Sequence, residues 1–231
     1  MSDKGACLVV FCKRPALNQG KQRLAATIGA EQAFVFAQAF LDCALDDARI
    51  WPGSVVLSPA SVEDEAWAAG LLDHSHQAHQ VIVQPEGNLG HRLWTVDRAL
   101  RELGQDRIIF MGSDAPMLTA CHFGAAAQAL EDSDVVLSPA TDGGVTLMGT
   151  RIGWPDLTDL PWSTDQLGAA LENLCRARGD HVKNILPSYD VDVVADLAIL
   201  WRDLSGDPRF ARKKLYKLLD QFLTEQGAQF G

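Results

Sequence analysis

Residues 5–24 read GACLVVFCKRPALNQGKQRL, and this stretch decides the fold class. The apolar, β-branched run at 5–11 predicts a buried strand. It passes directly into a loop that carries four cations between Lys13 and Arg23. No Asp or Glu occurs in residues 4–30, although the whole chain has a formal net charge of −10. A buried strand that ends in a purely basic loop predicts an anion site at the carboxyl edge of a sheet.

The same strand-and-helix unit repeats along the chain. Apolar runs predict further strands at 54–58, 80–84, 107–114 and 134–140, and helical spacing predicts helices at 31–48, 62–72, 91–103 and 119–131. This alternation predicts a mostly parallel sheet covered on both faces. After Thr141 the rhythm changes, and we predict a tight Asp-Gly-Gly bend into a strand. Helices are predicted at 165–178 and 193–204 around a strand at 181–186. The last predicted element is an amphipathic helix at 207–222, with Phe210, Leu215, Leu218, Leu219 and Phe222 on its apolar side.

Composition excludes several classes of function. With 47% hydrophobic and 22% charged residues the chain is an ordinary globular protein, and its apolar runs fall short of the ~20 residues of a membrane span. The acidic net charge disfavours nucleic acid, so the small basic loop suits one phosphorylated small molecule. Five cysteines without a C-x-x-C pair, and a start unlike a signal peptide, predict a reducing, cytoplasmic setting.

Two nucleotide-binding motifs are absent from the sequence. A P-loop requires G-x-x-x-x-G-K-[ST], but Gln22 follows Gly20-Lys21 and Pro15 replaces the first glycine. A dinucleotide fingerprint would need a third glycine beside Gly87 and Gly90. Neither family is supported.

Polar turns follow four of the predicted strands, and in an open α/β sheet such turns gather at one edge. Lys13 and Lys21 offer point charges and Arg23 a bidentate fork for phosphate oxygens, unless the loop is merely solvated. Asp114 ends a buried run and is placed to hold Mg²⁺ or Mn²⁺ together with substrate phosphates, although a helix cap is the alternative.

The second half of the chain adds three more aspartates. Asp142 lies in Asp-Gly-Gly, which is also a common turn sequence. Asp190 and Asp192 are two apart, so an extended backbone directs both carboxylates to the same side. Asp192 is a metal candidate or the N-cap of the next helix, and these roles are compatible. The basic segment RKKLYK (212–217) is interpreted as the solvated face of the last helix.

Six segments in this order resemble a known family. They are FCKRPALNQGKQRL (11–24), GNLGHRL (87–93), MGSDAPML (111–118), SPATDGGVTLMGT (138–150), LPWSTDQ (160–166) and YDVDVVADL (189–197). Together they resemble the bacterial radical-SAM/selenodomain-associated transferases, which are GT-A-fold proteins labelled as arsenosugar-biosynthesis glycosyltransferases. These are similar in turn to the guanylyltransferases that activate phospholactate and to those of the molybdenum cofactor. The resemblance covers residues from about 7 to 200.

The resemblance implies a single-domain GT-A sandwich with a mostly parallel central sheet, residues 1–204 forming the transferase domain and 205–231 a helical extension packed on it. The family's basic-loop pattern aligns without gaps, but Leu17, Asn18 and Gln22 replace its usual Pro, Gly and Thr. Further departures are Asn88 and His91 in place of two carboxylates, and Val145-Thr146 in place of an aromatic pair.

The resemblance also implies roles for individual residues. Lys13, Lys21, Arg23, Asn88 and Ser113 are expected to bind nucleotide or phosphate, Asp114 and Asp192 a Mg²⁺ or Mn²⁺ ion, and Asp142 is expected to orient the acceptor or act as a base. We therefore expect a metal-dependent transferase that uses a nucleotide-sugar and a small-molecule acceptor, with no nucleic-acid or membrane partner. Nucleotidyl transfer from a nucleoside triphosphate and a degenerate, non-catalytic nucleotide binder are the alternatives. A homodimer is left open.

Overall fold

The computed structural model describes residues 5–72 and 79–229, which form seven strands and eight helices. The strands are β1 (Cys7–Cys12), β2 (Val55–Pro59), β3 (Gln80–Val81), β4 (Ile108–Gly112), β5 (Val135–Pro139), β6 (Val145–Thr150) and β7 (Val182–Asn184). The helices are α1 (Gln22–Ile28), α2 (Ala30–Ile50), α3 (Glu65–Ala69), α4 (Leu89–Glu102), α5 (Ala120–Asp132), α6 (Leu167–Arg178), α7 (Val194–Asp203) and α8 (Phe210–Gln229).

The strands form one sheet in the order β3-β2-β1-β4-β6-β5-β7. All pairs are parallel except those of β6, which is antiparallel to both β4 and β5. The Asp-Gly-Gly bend between β5 and β6 causes this reversal, as the sequence predicts. The predicted α/β architecture with a mostly parallel sheet is confirmed.

Helices cover both faces of the sheet because buried strands present apolar side chains alternately to each side. Leu8 and Val10 of β1 pack in one cluster with residues of α2, α3 and α5. Cys7 and Val9 pack in a second cluster with residues of α4 and α6. The helix–sheet–helix sandwich therefore follows from the strand pattern.

Three elements differ from the sequence-based expectations. The helix α1 was not expected; it is separated from α2 by Gly29, which has a φ of 84°. The predicted helix 62–72 is a 3₁₀ turn at Val62–Asp64 followed by the five-residue α3. The ladder of β3 is short, but the N–H groups of Ile82 and Gln84 still donate to the β2 carbonyls of Leu57 and Pro59, at 3.1 and 3.0 Å.

The last helix packs on α2 and α7 through a third apolar cluster, which includes Phe36, Leu197 and Leu215. The exposure of two side chains of this helix differs from the expectation. Phe210, expected on the apolar side, is 67% exposed, and Arg212, expected in solvent, is fully buried. The expectation for RKKLYK was therefore wrong for Arg212, because contacts distant in sequence bury that side chain.

Candidate active site

The basic loop after β1 has an unusual backbone. Asn18, Gly20 and Lys21 all have positive φ, at 62°, 71° and 43°. Asn is one of the few residues with a side chain that adopts this conformation readily, which fits its replacement of the family's glycine. Lys21 directly precedes α1 and adopts the left-handed conformation there, which is uncommon for a lysine. Such strained positions cluster at functional sites.

The Lys21 side chain joins two distant parts of the chain. Its Nζ donates to Asp114 Oδ2 at 3.0 Å and to Asp192 Oδ1 at 2.9 Å, and only 10% of the side chain is exposed. Burial by itself would lower the pKa of Lys21, but the two carboxylates outweigh that effect and raise it. The ammonium is therefore charged and bridges the two aspartates that the sequence predicts as metal ligands.

Local structure leaves the Asp192 carboxylate available for this contact. The N–H groups of Asp192 and Val193 both donate to Asp196 Oδ2, at 2.8 and 2.9 Å, just before α7 begins. Asp196 thus performs the capping role that was the alternative for Asp192. Arg23 also approaches, with Nη1 3.9 Å from Asp192 Oδ2, and its side chain is largely exposed.

A pocket of about 580 Å³ opens beside this bridge, where β1 and β4 end and β6 begins. Among the described residues that line it, the charged ones are Arg23 and four aspartates, Asp114, Asp142, Asp165 and Asp190. Much of the remaining wall is apolar, and it includes Phe11, Leu89, Phe110, Val145, Met148 and Trp162. The pocket thus combines several carboxyl groups with apolar walls.

Two of these aspartates were not among the predicted site residues. Asp190 was noted only for its spacing from Asp192. Burial, followed by the nearby Asp114 carboxylate, raises the pKa of Asp190 to about 8. Asp165 gave no signal in the sequence beyond its place in the LPWSTDQ segment, because it reaches the pocket through a contact with the Asp-Gly-Gly bend.

Two glycines near the pocket allow close backbone approaches. Gly143 has a φ of 89°, and a Cβ there would lie 1.9 Å from the Asp165 carbonyl oxygen. A Cβ at Gly90 would lie 2.1 Å from the Leu157 carbonyl oxygen, next to the indole of Trp162. A side chain at either position would therefore displace part of the pocket wall.

Asp142 lines the pocket, and its Oδ1 accepts a hydrogen bond from the N–H of Gly144 at 3.0 Å. This bond belongs to the turn that the sequence offered as the alternative for Asp142. Asp142 therefore both stabilises the turn and lines the pocket.

Three predicted phosphate-binding residues take no part in the Lys21 bridge between Asp114 and Asp192. Lys13 is exposed and makes no hydrogen bond or ion pair within residues 5–72 and 79–229. Ser113 adjoins Asp114 but does not line the pocket. The Asn88 amide caps α4 by accepting from the N–H of His91 at 3.0 Å, and it donates to the Thr158 carbonyl at 2.8 Å.

Two carboxylates near the basic loop could hold a divalent cation. In the described part of the chain, no three His, Cys, Asp or Glu side chains are grouped as a ready metal site. Asp114 and Asp192 nevertheless share one cation, the Lys21 ammonium. Mg²⁺ commonly takes one or two carboxylates and completes its shell with substrate phosphates and water. The two aspartates fit an ion of that kind, provided that Lys21 moves.

The sequence matches one family model over residues 42–164, described as "Uncharacterized protein conserved in bacteria (DUF2064)". The chain belongs to this DUF2064 family. No functionally curated protein matches the DUF2064 chain significantly. No helix in the described segments combines the length and apolarity that crossing a bilayer requires.

Solved structures agree with the fold. A Desulfovibrio desulfuricans G20 protein, provisionally named a nucleotide-diphospho-sugar transferase, is 26% identical, with a TM-score of 0.83 over 94% of each chain. The 4-diphosphocytidyl-2C-methyl-D-erythritol synthase of Anaerococcus prevotii DSM 20548 is 11% identical, with a TM-score of 0.51 over 85% of this chain and 97% of its own. This DUF2064 protein therefore has the fold of nucleotide-diphospho-sugar transferases and nucleotidyltransferases.

Proposed function

We propose that this DUF2064 protein is a divalent-metal-dependent transferase that uses a nucleotide-sugar to modify a small-molecule acceptor. The observation that carries the proposal is the meeting of Lys21, Asp114 and Asp192 beside one pocket. Residues from a basic loop and from two aspartate segments far apart in sequence converge there. The resemblance of the six segments, and the similarity to the D. desulfuricans protein over nearly the whole chain, support the same reading.

The charge of the pocket supports a requirement for a metal ion. Its described lining carries one arginine and four aspartates, of which Asp190 is largely protonated near neutral pH because its pKa is raised to about 8. The other three carboxylates would repel a diphosphate group unless cations accompany it. A divalent ion that arrives with the phosphates satisfies both the carboxylates and the anion.

Asp114 and Asp192 would hold the Mg²⁺ or Mn²⁺ ion, which when bound supplies positive charge to the phosphate oxygens of the leaving group. Lys21 would then leave the two carboxylates and donate to the phosphates, with Arg23 as a bidentate partner. Lys13 lies on the same loop and is the third cation proposed to bind the phosphates. Cations aimed at the leaving group stabilise the negative charge that accumulates during transfer.

Asp142 would orient the acceptor or take its proton. One of its carboxylate oxygens is fixed by Gly144, so the group is held in place at the pocket wall. Asn88 and Ser113 would contribute less than the sequence suggests, because the Asn88 amide is already engaged and Ser113 lies outside the pocket lining. The division into residues 1–204 and an extension at 205–231 remains a proposal.

Calorimetric titrations with Mn²⁺ and a panel of UDP-glucose, GDP-mannose, GTP and CTP test this function. We expect a nucleotide-sugar to bind only when Mn²⁺ or Mg²⁺ is present. Preferential binding of a triphosphate, with release of pyrophosphate during turnover, would replace glycosyl transfer by nucleotidyl transfer. Binding without any turnover would indicate a non-catalytic binder, and no binding at all would refute the proposal.

A further inference from the structure

Arg212, in the first turn of α8, is the largest fully buried side chain among the described residues. Its Nη2 donates to Asp47 Oδ2 of α2 at 2.5 Å, and its Nη1 donates to the Cys43 carbonyl. Its Nε donates to the Pro116 carbonyl at 3.2 Å, and Nη2 also lies 3.4 Å from the Leu118 carbonyl. The guanidinium therefore connects three segments that are far apart in sequence.

A second arginine supports this arrangement. Arg209 donates through Nη1 to Asp47 Oδ1 at 3.1 Å and to the Leu118 carbonyl at 2.7 Å. Its Nε and Nη2 are held by the carboxylate of Asp207. The Asp47 carboxylate is shared between the two guanidinium groups, so neither charge is buried without a partner.

The last helix is also attached by apolar packing. Leu215, Leu219 and Phe222 already pack the helix against its neighbours. A buried ion pair adds little to stability compared with apolar residues of similar size, because desolvation offsets its attraction. What an apolar residue could not do at position 212 is bind backbone carbonyl groups.

Two of the three carbonyl groups, those of Pro116 and Leu118, belong to the segment that follows Asp114, and the third, of Cys43, lies in α2. The segment leaves β4 at Gly112 and turns at Ala115, whose carbonyl accepts from the N–H of Leu118 at 3.1 Å. The two arginines bind the same segment through the carbonyl groups of Pro116 and Leu118. We infer that Arg212, supported by Asp47 and Arg209, is a positioning residue that fixes the Asp114 carboxylate for cation binding. This inference rests on the proposed role of Asp114 as a metal ligand.

The sequence offers a matched control in Arg101. It also pairs with a buried aspartate, Asp97, at 3.0 Å, and it also donates to backbone carbonyls, those of Thr150 and Arg151. These partners lie where β6 ends and β4 begins, at the opposite edge of the sheet from Asp114. Loss of Arg101 should therefore remove an ion pair and carbonyl contacts of the same kind without touching the candidate site.

The experiment compares Arg212→Met, Arg212→Lys and Arg101→Met in the full chain. Manganese binding is measured by electron paramagnetic resonance, with and without UDP-glucose, and hydrogen exchange is measured on the peptide 112–119. We expect Arg212→Met to weaken Mn²⁺ binding roughly tenfold, the lower end of what loss of a direct outer-shell partner costs, because Arg212 acts on Asp114 through the backbone. Arg101→Met should change it less than about twofold. Exchange in the 112–119 peptide should accelerate in Arg212→Met beyond what it does in Arg101→Met.

Arg212→Lys keeps the charge and tests the geometry if Arg212→Met does not fold. One ammonium group cannot reach Asp47 and all three carbonyls, so this variant should also weaken Mn²⁺ binding and loosen the peptide. Equal Mn²⁺ affinity in the wild type and both Arg212 variants would overturn the inference. If the wild type itself binds no Mn²⁺, the proposed function fails. If, separately, peptide 112–119 exchanges at the same rate in the Arg212 and Arg101 variants, Arg212 does not position the segment after Asp114.

Discussion

Replacing Lys21 by methionine should have opposite effects on the two ligands of the proposed reaction. The variant keeps the length of the side chain but removes the ammonium that bridges Asp114 and Asp192. In the protein without nucleotide, a metal ion then no longer competes with that ammonium for the carboxylates. Affinity for Mn²⁺ should increase, whereas affinity for a nucleotide-sugar in the presence of Mn²⁺ should decrease, because one phosphate donor is lost.

The size of the gain follows from the two contacts. A hydrogen bond to a charged group contributes about 1.5–3 kcal/mol when it is well buried. Both carboxylates are 45% exposed, so solvent reduces each contact towards the ~1 kcal/mol or less of exposed ion pairs. Their combined contribution is about 1–2 kcal/mol, which corresponds to a roughly 5- to 30-fold increase in Mn²⁺ affinity.

Manganese titration followed by electron paramagnetic resonance measures the first effect, and calorimetry with UDP-glucose at saturating Mn²⁺ measures the second. Lys13→Met is the matched control, since it removes one positive charge from the same loop without breaking any contact among the described residues. We expect its Mn²⁺ affinity to change by less than about twofold. Equal gains in the two variants, or a loss of Mn²⁺ affinity in Lys21→Met, would refute the shared-site reasoning.

Three further outcomes are expected. Asp114→Asn should weaken Mn²⁺ binding more than about tenfold in the same titration, whereas the exposed control Asp132→Asn should leave it unchanged. Gly143→Ala should lower the free energy of unfolding in urea by about 3 kcal/mol, because the new Cβ would lie 1.9 Å from a carbonyl oxygen. The control Gly104→Ala also lies at positive φ but has open space around it, so it should lower the free energy of unfolding by only about 1 kcal/mol. With Ellman's reagent, only Cys121 should react quickly in the folded protein, since the other four thiols are buried and burial raises their pKa. Four or five fast thiols, or equal costs for the two alanines, would contradict the packing described above.

Local sequence patterns determined the architecture of this protein. A strand such as 7–12 is recognisable because apolar β-branched residues run without interruption, and a helix such as 30–50 because its apolar residues recur every three or four positions. Both patterns depend only on neighbours in the chain. The position of the site could also be predicted, because the carboxyl ends of parallel strands lie at one edge of the sheet.

The partners of individual charges were decided by the tertiary structure alone. Lys21 binds carboxylates 93 and 171 positions away in the sequence. The local sequence of a basic loop does not distinguish a solvated lysine from a paired one. Asp165 enters the pocket only because Gly143 lets two backbone segments touch. Arg212 looked solvated among neighbouring lysines, yet long-range contacts bury it beneath the segment after Asp114. Periodicity records which side of an element faces the core, but which charge meets which depends on how the elements pack together.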